Sequence, residues 1–290
     1  GSIRNRLVAL GSPCGPEACL DRAILDFRRF ADAQDRVPVF YEVFEPELSH
    51  YHDHGFDLFK LGELAIIELK EFSLAGKRWE DLRQAVNRSA KEQITFEIVN
   101  PPHDSVVLAE VKRVSDTWLS YKGSAEKGFS LGRFDTDYIG LTPLALVRRA
   151  GELIAFANLV PPYGGHDAAS LDMMRHVGDA PRSTMDFLFA KVLQWAQEQG
   201  YRTFSLGMAP LSRVGDNQYA RFNERLASLA FRYGSSLYNY QGVRRYKDKF
   251  KPEWTGTYLA YPRGVWVPGL LIDIAALVSG GYRRFLIGGS

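Results

Sequence analysis

The sequence predicts an α/β chain built from two related halves. Three observations lead there. Segments with apolar residues every three to four positions alternate with short segments rich in β-branched and aromatic residues. The layout helix, strand, short helix, strand occupies residues 20–69 and recurs over 184–240, with Asp35-Arg36 and Gly55 matched by Gly200-Tyr201 and Gly234. The length, 290 residues, exceeds what one compact unit of roughly 100–200 residues usually holds.

Residues 1–19 are Gly/Pro-rich and predict a flexible lead-in, with Gly1-Ser2 read as an expression remnant. Leu20, Ile24, Leu25, Phe27 and Ala31 have the spacing of a helix over 20–33. A strand follows at 37–43, then a short helix opened by Pro46 and ended by Gly55. Residues 56–61 and 64–69 predict two strands with a turn at Gly62. Trp79, Leu82, Ala85 and Val86 share one face of a helix over 78–92, and 95–99 is a strand stopped by Asn100-Pro101-Pro102. That stop divides a first half, 20–104, from a second, 105–264. The second half opens with a helix over 106–121 and a loop over 123–137. A hairpin of 144–149 and 152–160 turns at Ala150-Gly151, and 169–176 is a strand. The clearest helix spans 184–199: Met185, Leu188, Phe189, Val192, Leu193 and Ala196 make its stripe, Ser183 is its expected N-cap, and Gly200 ends it. A strand at 201–206, a helix at 218–232 and an extended segment at 233–240 complete the half.

Composition narrows the chemistry. The net charge of +2 excludes a polycation, so any nucleic-acid contact must come from a local patch. There is no run of 18 apolar residues, and the chain as given is not expected to cross a membrane. Cys14 and Cys19 read as cytosolic thiols outside any nucleophile context. His50, His52 and His54 invite a metal, but no carboxylate or cysteine pair at zinc-site spacing accompanies them. A surface or hydrogen-bonded role is expected instead, and no metal.

Arg175, Gly178 and Ala180 fit the pattern R/Q-x-x-G-x-G/A between a strand and the strong helix. Such a loop turns backbone N–H groups and a helix N-terminus toward an anion, as in GNAT-type acyltransferases with coenzyme A. Just upstream stands Asp172, three residues before Arg175. On a regular strand the two face opposite sides, so a bend is needed for both to serve one site; a structural salt bridge is the other reading. Residues 244–251 gather Arg244, Arg245, Lys247, Lys249 and Lys251 among Tyr246, Phe250 and Trp254. This is either a solvated basic face or a phosphate-binding one.

Six stretches together carry a family resemblance. They are Ser170-Leu171-Asp172-Met173-Met174-Arg175-His176, Met185-Asp186-Phe187-Leu188-Phe189, Phe129-Ser130-Leu131-Gly132-Arg133-Phe134-Asp135, Phe204-Ser205-Leu206-Gly207-Met208-Ala209-Pro210, Tyr246-Lys247-Asp248-Lys249-Phe250-Lys251-Pro252-Glu253-Trp254 and Leu82-Arg83-Gln84-Ala85-Val86-Asn87-Arg88. Over about 20–261 the chain resembles the cytosolic catalytic domain of the aminoacyl-phosphatidylglycerol synthases. The resemblance implies a tandem GNAT-like fold shared with Fem-type peptidoglycan aminoacyltransferases. It implies transfer of an aminoacyl group, alanyl favoured and lysyl possible, from aminoacyl-tRNA to a hydroxyl of phosphatidylglycerol. It also implies a missing N-terminal transmembrane domain and a place at the cytoplasmic face of the bacterial inner membrane. The family's Asp-x-x-Arg pair falls on Asp172 and Arg175 and its C-terminal lysine on Lys247. Arg133, His176, Met208, Arg244, Tyr246 and Lys249 are expected to bind substrate, without coenzyme A or any other cofactor.

Such a transfer brings a hydroxyl to an activated ester, takes up its proton and stabilises the oxyanion. Asp172 suits the proton or the donor's ammonium, Arg175 a phosphate held by both arms of its fork, and Lys247 a phosphate or the oxyanion. Residues 265–290 are the most apolar part. Trp266, Leu270, Leu271, Ile274 and Phe285 are expected to touch lipid, from a helix lying on the membrane; a helix packed on the core is the alternative. Three other functions stay open: a Fem-type transferase, a coenzyme A-dependent N-acyltransferase, and a non-catalytic binding module.

Overall fold

The computed structural model describes residues 1–123, 126–162, 167–212 and 240–287. Two strand–helix–strand crossovers organise it. The first joins β2 (Arg6–Leu10), α1 (Leu20–Asp32) and β3 (Val37–Phe44), with β2 and β3 parallel. The second joins β8 (Ala168–His176), α6 (Thr184–Glu198) and β9 (Thr203–Pro210), with β8 and β9 parallel. The second copy of the repeated layout beyond β9, the helix expected over 218–232 included, lies outside the described residues.

Antiparallel strands complete the sheet: β1 (Ser2–Ile3), β4 (Phe56–Glu68), β5 (Ile94–Val99), β6 (Leu144–Arg149), β7 (Glu152–Val160) and β10 (Glu253–Pro262). Among the described residues all ten form one mixed sheet in the order β1-β2-β3-β10-β4-β9-β8-β7-β6-β5. The two halves trade strands. β10 comes from the end of the second range yet pairs with β3 on one side and β4 on the other. β5 comes from the first range yet pairs with β6 at the far edge.

Helices cover the sheet where the apolar stripes predict. α1 and α2 (Leu48–Asp53) bury Leu20, Ile24 and Tyr51 against Phe40 and Phe56. α3 (Glu80–Lys91), α4 (Ser105–Lys122) and α6 close the largest core around β6, β7 and β8. Asp104 caps α4 by accepting from the Val107 N–H at 2.7 Å, and Gly123 ends it in the left-handed region at φ +57°. The remaining helices are α5 (Thr136–Ile139), α7 (Tyr240–Asp248), α8 (Val267–Val278) and α9 (Tyr282–Ile287). No helix among the described residues is long and apolar enough to cross a membrane.

Four expectations change. Residues 2–10, expected to be a flexible lead-in, add two strands to the sheet. Gly62 is no turn: β4 runs through it because a Cβ there would lie 2.4 Å from the Ala209 carbonyl oxygen, so the glycine admits a close strand neighbour. Ser183 does not cap α6. Its backbone is already helical (φ −82°, ψ −7°), and its hydroxyl makes no cap bond. Leu270, Leu271 and Ile274 face inward from α8 and are at most 3% exposed, packed on Val8, Val39 and Leu259. Burial of each is worth about 1.5–3 kcal/mol, which holds α8 on the sheet and denies these three side chains to lipid. Trp266, the N-cap of that helix, and Ile272 within it stand outward, 69% and 44% exposed. Phe285 is half-buried.

Candidate active site

The site forms where the second crossover opens. β8 and β9 pair at Ala168, Ala169 and Ser170 and then part. β8 continues along β7 and β9 along β4, and each bulges at the parting. On β8 the bulge sets Leu171 to Met174 against the shorter step Ala157 to Leu159. On β9 it sets Ser205 to Met208 against Leu64 to Ile66, with Gly207 at φ +80°. The extra residue on β8 supplies the required bend. Asp172 and Arg175 both engage the loop 126–138 despite their spacing.

Asp172 is fixed through both oxygens. Oδ1 accepts from the Gly132 N–H at 3.0 Å and Oδ2 from the Tyr138 hydroxyl at 2.7 Å. Burial, then the adjacent carboxylate, pushes Tyr138 up to about 12, so it remains a donor at neutral pH. Gly132 is required by space, because a Cβ there would lie 2.3 Å from Asp172 Oδ2. A cleft of about 460 Å³ opens beside this carboxylate, lined by Leu10, Phe129, Leu131, Tyr138 and Val160.

Arg175 is 4% exposed, and its fork is filled. Nη1 donates to Glu126 Oε1 at 2.7 Å and Nη2 to Oε2 at 2.6 Å; Nη1 also meets Ser115 Oγ, and the guanidinium lies 5.2 Å from the Trp118 ring centre. Burial opposes the charge on Glu126, but this fork and the Phe134 N–H outweigh it and hold the carboxyl below its usual range. In this structure the fork expected to hold a phosphate holds Glu126 instead, and Arg175 joins the 126–138 loop to α4 and β8.

Lys247 enters from α7 and is 9% exposed. Its Nζ donates to the carbonyls of Gly207 at 2.9 Å and Met208 at 2.8 Å, which the β9 bulge turns toward it. Burial pulls the ammonium down to about 8, an effect the charge of Glu42 partly offsets. Glu42 sits at a bulge between β3 and β10, at φ +67°, a conformation uncommon for a residue with a side chain. Burial lifts its carboxyl to about 7 against the Tyr41 hydrogen bond and the Lys247 charge. Asp172 and Gly207 are each two residues past the last β8–β9 pair, Ser170 with Ser205. Asp172 lies on β8 and the carbonyls that hold Lys247 lie on β9, both just beyond the point where these strands part.

The other expected substrate contacts are engaged elsewhere. Arg244 pairs with buried Glu63 and Ser212 and lies 4.2 Å from the Trp254 ring centre. Tyr246 packs on Phe189 and Phe250, and Lys249 donates to Asp186 at 3.0 Å, so both join α7 to α6. Arg133 is exposed, 3.7 Å from Asp135. His176 Nδ1 donates to the Val177 carbonyl at 2.8 Å. Met208 stays at the site, through its carbonyl and through a sulfur that accepts from Thr257 Oγ1 at 3.0 Å. Away from the site, His50 and His54 are bonded to Asp21 at 2.8 and 2.9 Å. Among the described residues no group of three His, Cys, Asp or Glu is arranged to hold a metal ion.

Sequence reasoning missed Glu42, Glu126 and Tyr138. Glu42 carried a signal, as the lone charge inside Val37-Pro38-Val39-Phe40-Tyr41-Glu42-Val43. Glu126 and Tyr138 carried none, since the loop they bracket has no periodicity.

Residues 1–261 match the family model described as "Phosphatidylglycerol lysyltransferase, C-terminal". A relative named phosphatidylglycerol lysyltransferase from Bacillus subtilis (strain 168) is 41% identical over 262 residues, which is 90% of this chain and 30% of that protein. The chain thus spans less than a third of that relative's length. The solved structure of L-PGS from Bacillus licheniformis superimposes with a TM-score of 0.83 at 38% identity, covering 96% of this chain and 84% of that one. FemX superimposes at 0.57 with 10% identity over 93% and 83% of the two chains, a likeness of fold alone. The chain belongs to the family of phosphatidylglycerol lysyltransferase C-terminal domains.

Proposed function

We propose that this chain transfers an aminoacyl group from aminoacyl-tRNA to a hydroxyl of phosphatidylglycerol. The names of its relatives support the lipid and favour lysyl over the alanyl group preferred from the sequence. The observation that carries the reading is the parting of β8 and β9, beyond which β8 bears the braced Asp172 carboxylate and the β9 carbonyls hold the buried Lys247 ammonium. An ester exchange needs a proton acceptor and an oxyanion partner within one gap.

In this reading the lipid hydroxyl attacks the ester carbonyl carbon, and its proton passes to Asp172. The carbonyl oxygen takes the negative charge and is stabilised by Lys247. The tetrahedral centre then releases the ribose oxygen, which takes the proton back from Asp172 and leaves as the free tRNA hydroxyl. The activated ester needs no covalent enzyme intermediate and no cofactor. Arg175 acts at one remove, by holding the loop that presents Gly132 and Tyr138 to Asp172. Arg245 and Lys251 are exposed and offer phosphate contacts to the tRNA acceptor end.

Trp266, Ile272 and Phe285, with exposed Arg283 and Arg284, suit a lipid surface better than the inward leucines of α8. The reading places the domain at the cytoplasmic face of a bacterial inner membrane, beside an N-terminal transmembrane domain of the full-length protein. The test incubates the chain with lysyl-tRNA or alanyl-tRNA and phosphatidylglycerol vesicles and follows label into lipid. Lysyl labelling supports the full reading, and alanyl labelling alone moves the specificity. No labelling with either, together with acyl transfer from acetyl-coenzyme A to an amine, overturns it.

A further inference from the structure

One buried polar side chain stands at the β8 bulge. Asn158 is the amide in the run Leu153-Ile154-Ala155-Phe156-Ala157-Asn158-Leu159, and it is 0% exposed. An amide in such surroundings is costly unless it satisfies a group that has no other partner. Asn158 does so. Its Oδ1 accepts from the Met173 backbone N–H at 2.8 Å, within the bulge, where the ladder between β7 and β8 skips. Its Nδ2 makes no hydrogen bond within normal limits and is turned toward the Tyr138 hydroxyl, which donates to Asp172.

We infer that Asn158 is a positioning residue that holds the β8 bulge, and that this bulge is what lets Asp172 and Arg175 serve the same loop. Removing the extra residue from the ladder restores strict alternation, and side chains three apart on a regular strand face opposite sides of the sheet. The Asp172 carboxylate then loses Gly132 or Tyr138, or Arg175 loses Glu126. The Met173 N–H is the point where the two arrangements divide, and Asn158 is the side chain that accepts from it.

The inference rests on the proposed transfer for its catalytic readout, so the experiment carries a second readout that does not. Asn158→Val removes the acceptor at nearly equal volume. It is expected to lower kcat roughly 10²-fold, the scale of a 1 Å misplacement at a reacting group, with KM for lipid within about twofold. Asn158→Asp keeps an oxygen for Met173 and is expected to return kcat to within about tenfold of the parent. Amide exchange at Met173, measured by NMR or mass spectrometry, is expected to quicken in Asn158→Val and to stay slow in Asn158→Asp. If the parent labels no lipid, the transfer reading falls, while exchange at Met173 still decides the placement. Unchanged exchange in Asn158→Val overturns the inference, as does unchanged kcat. If Asn158→Val does not fold, Asn158→Asp decides: fast exchange at Met173 in that variant overturns the inference, and slow exchange with kcat retained supports it.

Discussion

The two crossovers are the same construction used in opposite ways. β2 and β3 run parallel through five consecutive pairs, from Arg6 with Val37 to Leu10 with Tyr41. β8 and β9 run parallel through three and then part. The first is covered by α8, whose leucines seal it as core. The second is left open between two bulges, with a carboxylate on β8 braced by the 126–138 loop and an ammonium held by the β9 carbonyls. The difference teaches that a parallel pair becomes a site when each strand finds another partner. The backbone groups released at the parting are then satisfied by side chains, such as Lys247 on the Gly207 and Met208 carbonyls.

If the contrast is sound, damage to the open crossover costs rate and damage to the closed one costs stability. The largest effect is expected from Lys247→Met, about 10³-fold in kcat with the fold retained. The parent rate should decline above about pH 8, as the depressed ammonium loses its proton. Lys247→Arg, which stays charged, should lack that decline at whatever rate it retains. Gly132→Ala is next, at about 10²-fold, because its Cβ displaces Asp172. In the closed crossover Leu271→Ala should cost about 2–5 kcal/mol in denaturant unfolding and leave kcat unchanged. A Leu271→Ala enzyme that stays stable but loses its rate would erase the contrast.

The smallest effect concerns Glu42. Its folded carboxyl titrates at about 7 rather than 4.5, so the native state binds more protons than the unfolded chain in that interval. Stability of the parent therefore falls as pH rises from about 4.5 to about 7 and then levels off. Glu42→Gln lacks this slope. Its Tm advantage over the parent should grow across the interval, to about 2–6 °C.

Much of this arrangement was legible in the residues, and what was not has physical causes. α6 is legible in its stripe and in Gly200, and the resemblance carried by the surrounding stretches singles out Asp172, Arg175 and Lys247. The contact that decides the role of Arg175 was not legible, since Glu126 lies 49 residues away in a segment without periodicity. Gly62 read as a turn because glycine's two uses, chain reversal and close approach, look alike until the neighbouring strand is known. Leu270 and Leu271 read as lipid contacts because an apolar stripe does not state what covers it; the exposed apolar residues are Ile272 on the same helix and Trp266 at its N-cap. The bend needed between Asp172 and Arg175 was stated as a requirement, and the residue that holds it lies on another strand.

Strand exchange has a consequence for how the chain is made. β3 and β4 are synthesised early, yet they meet only through β10, which ends at Pro262. At about 5–20 residues per second, the ribosome spends roughly 9–40 seconds between finishing β4 and supplying the strand that joins it to β3. Through that interval the facing edges of both strands have no partner within the sheet. Cutting the gene at the Pro101-Pro102 step would therefore yield two fragments, neither holding a complete sheet, whose recovery would depend on the fragments finding each other.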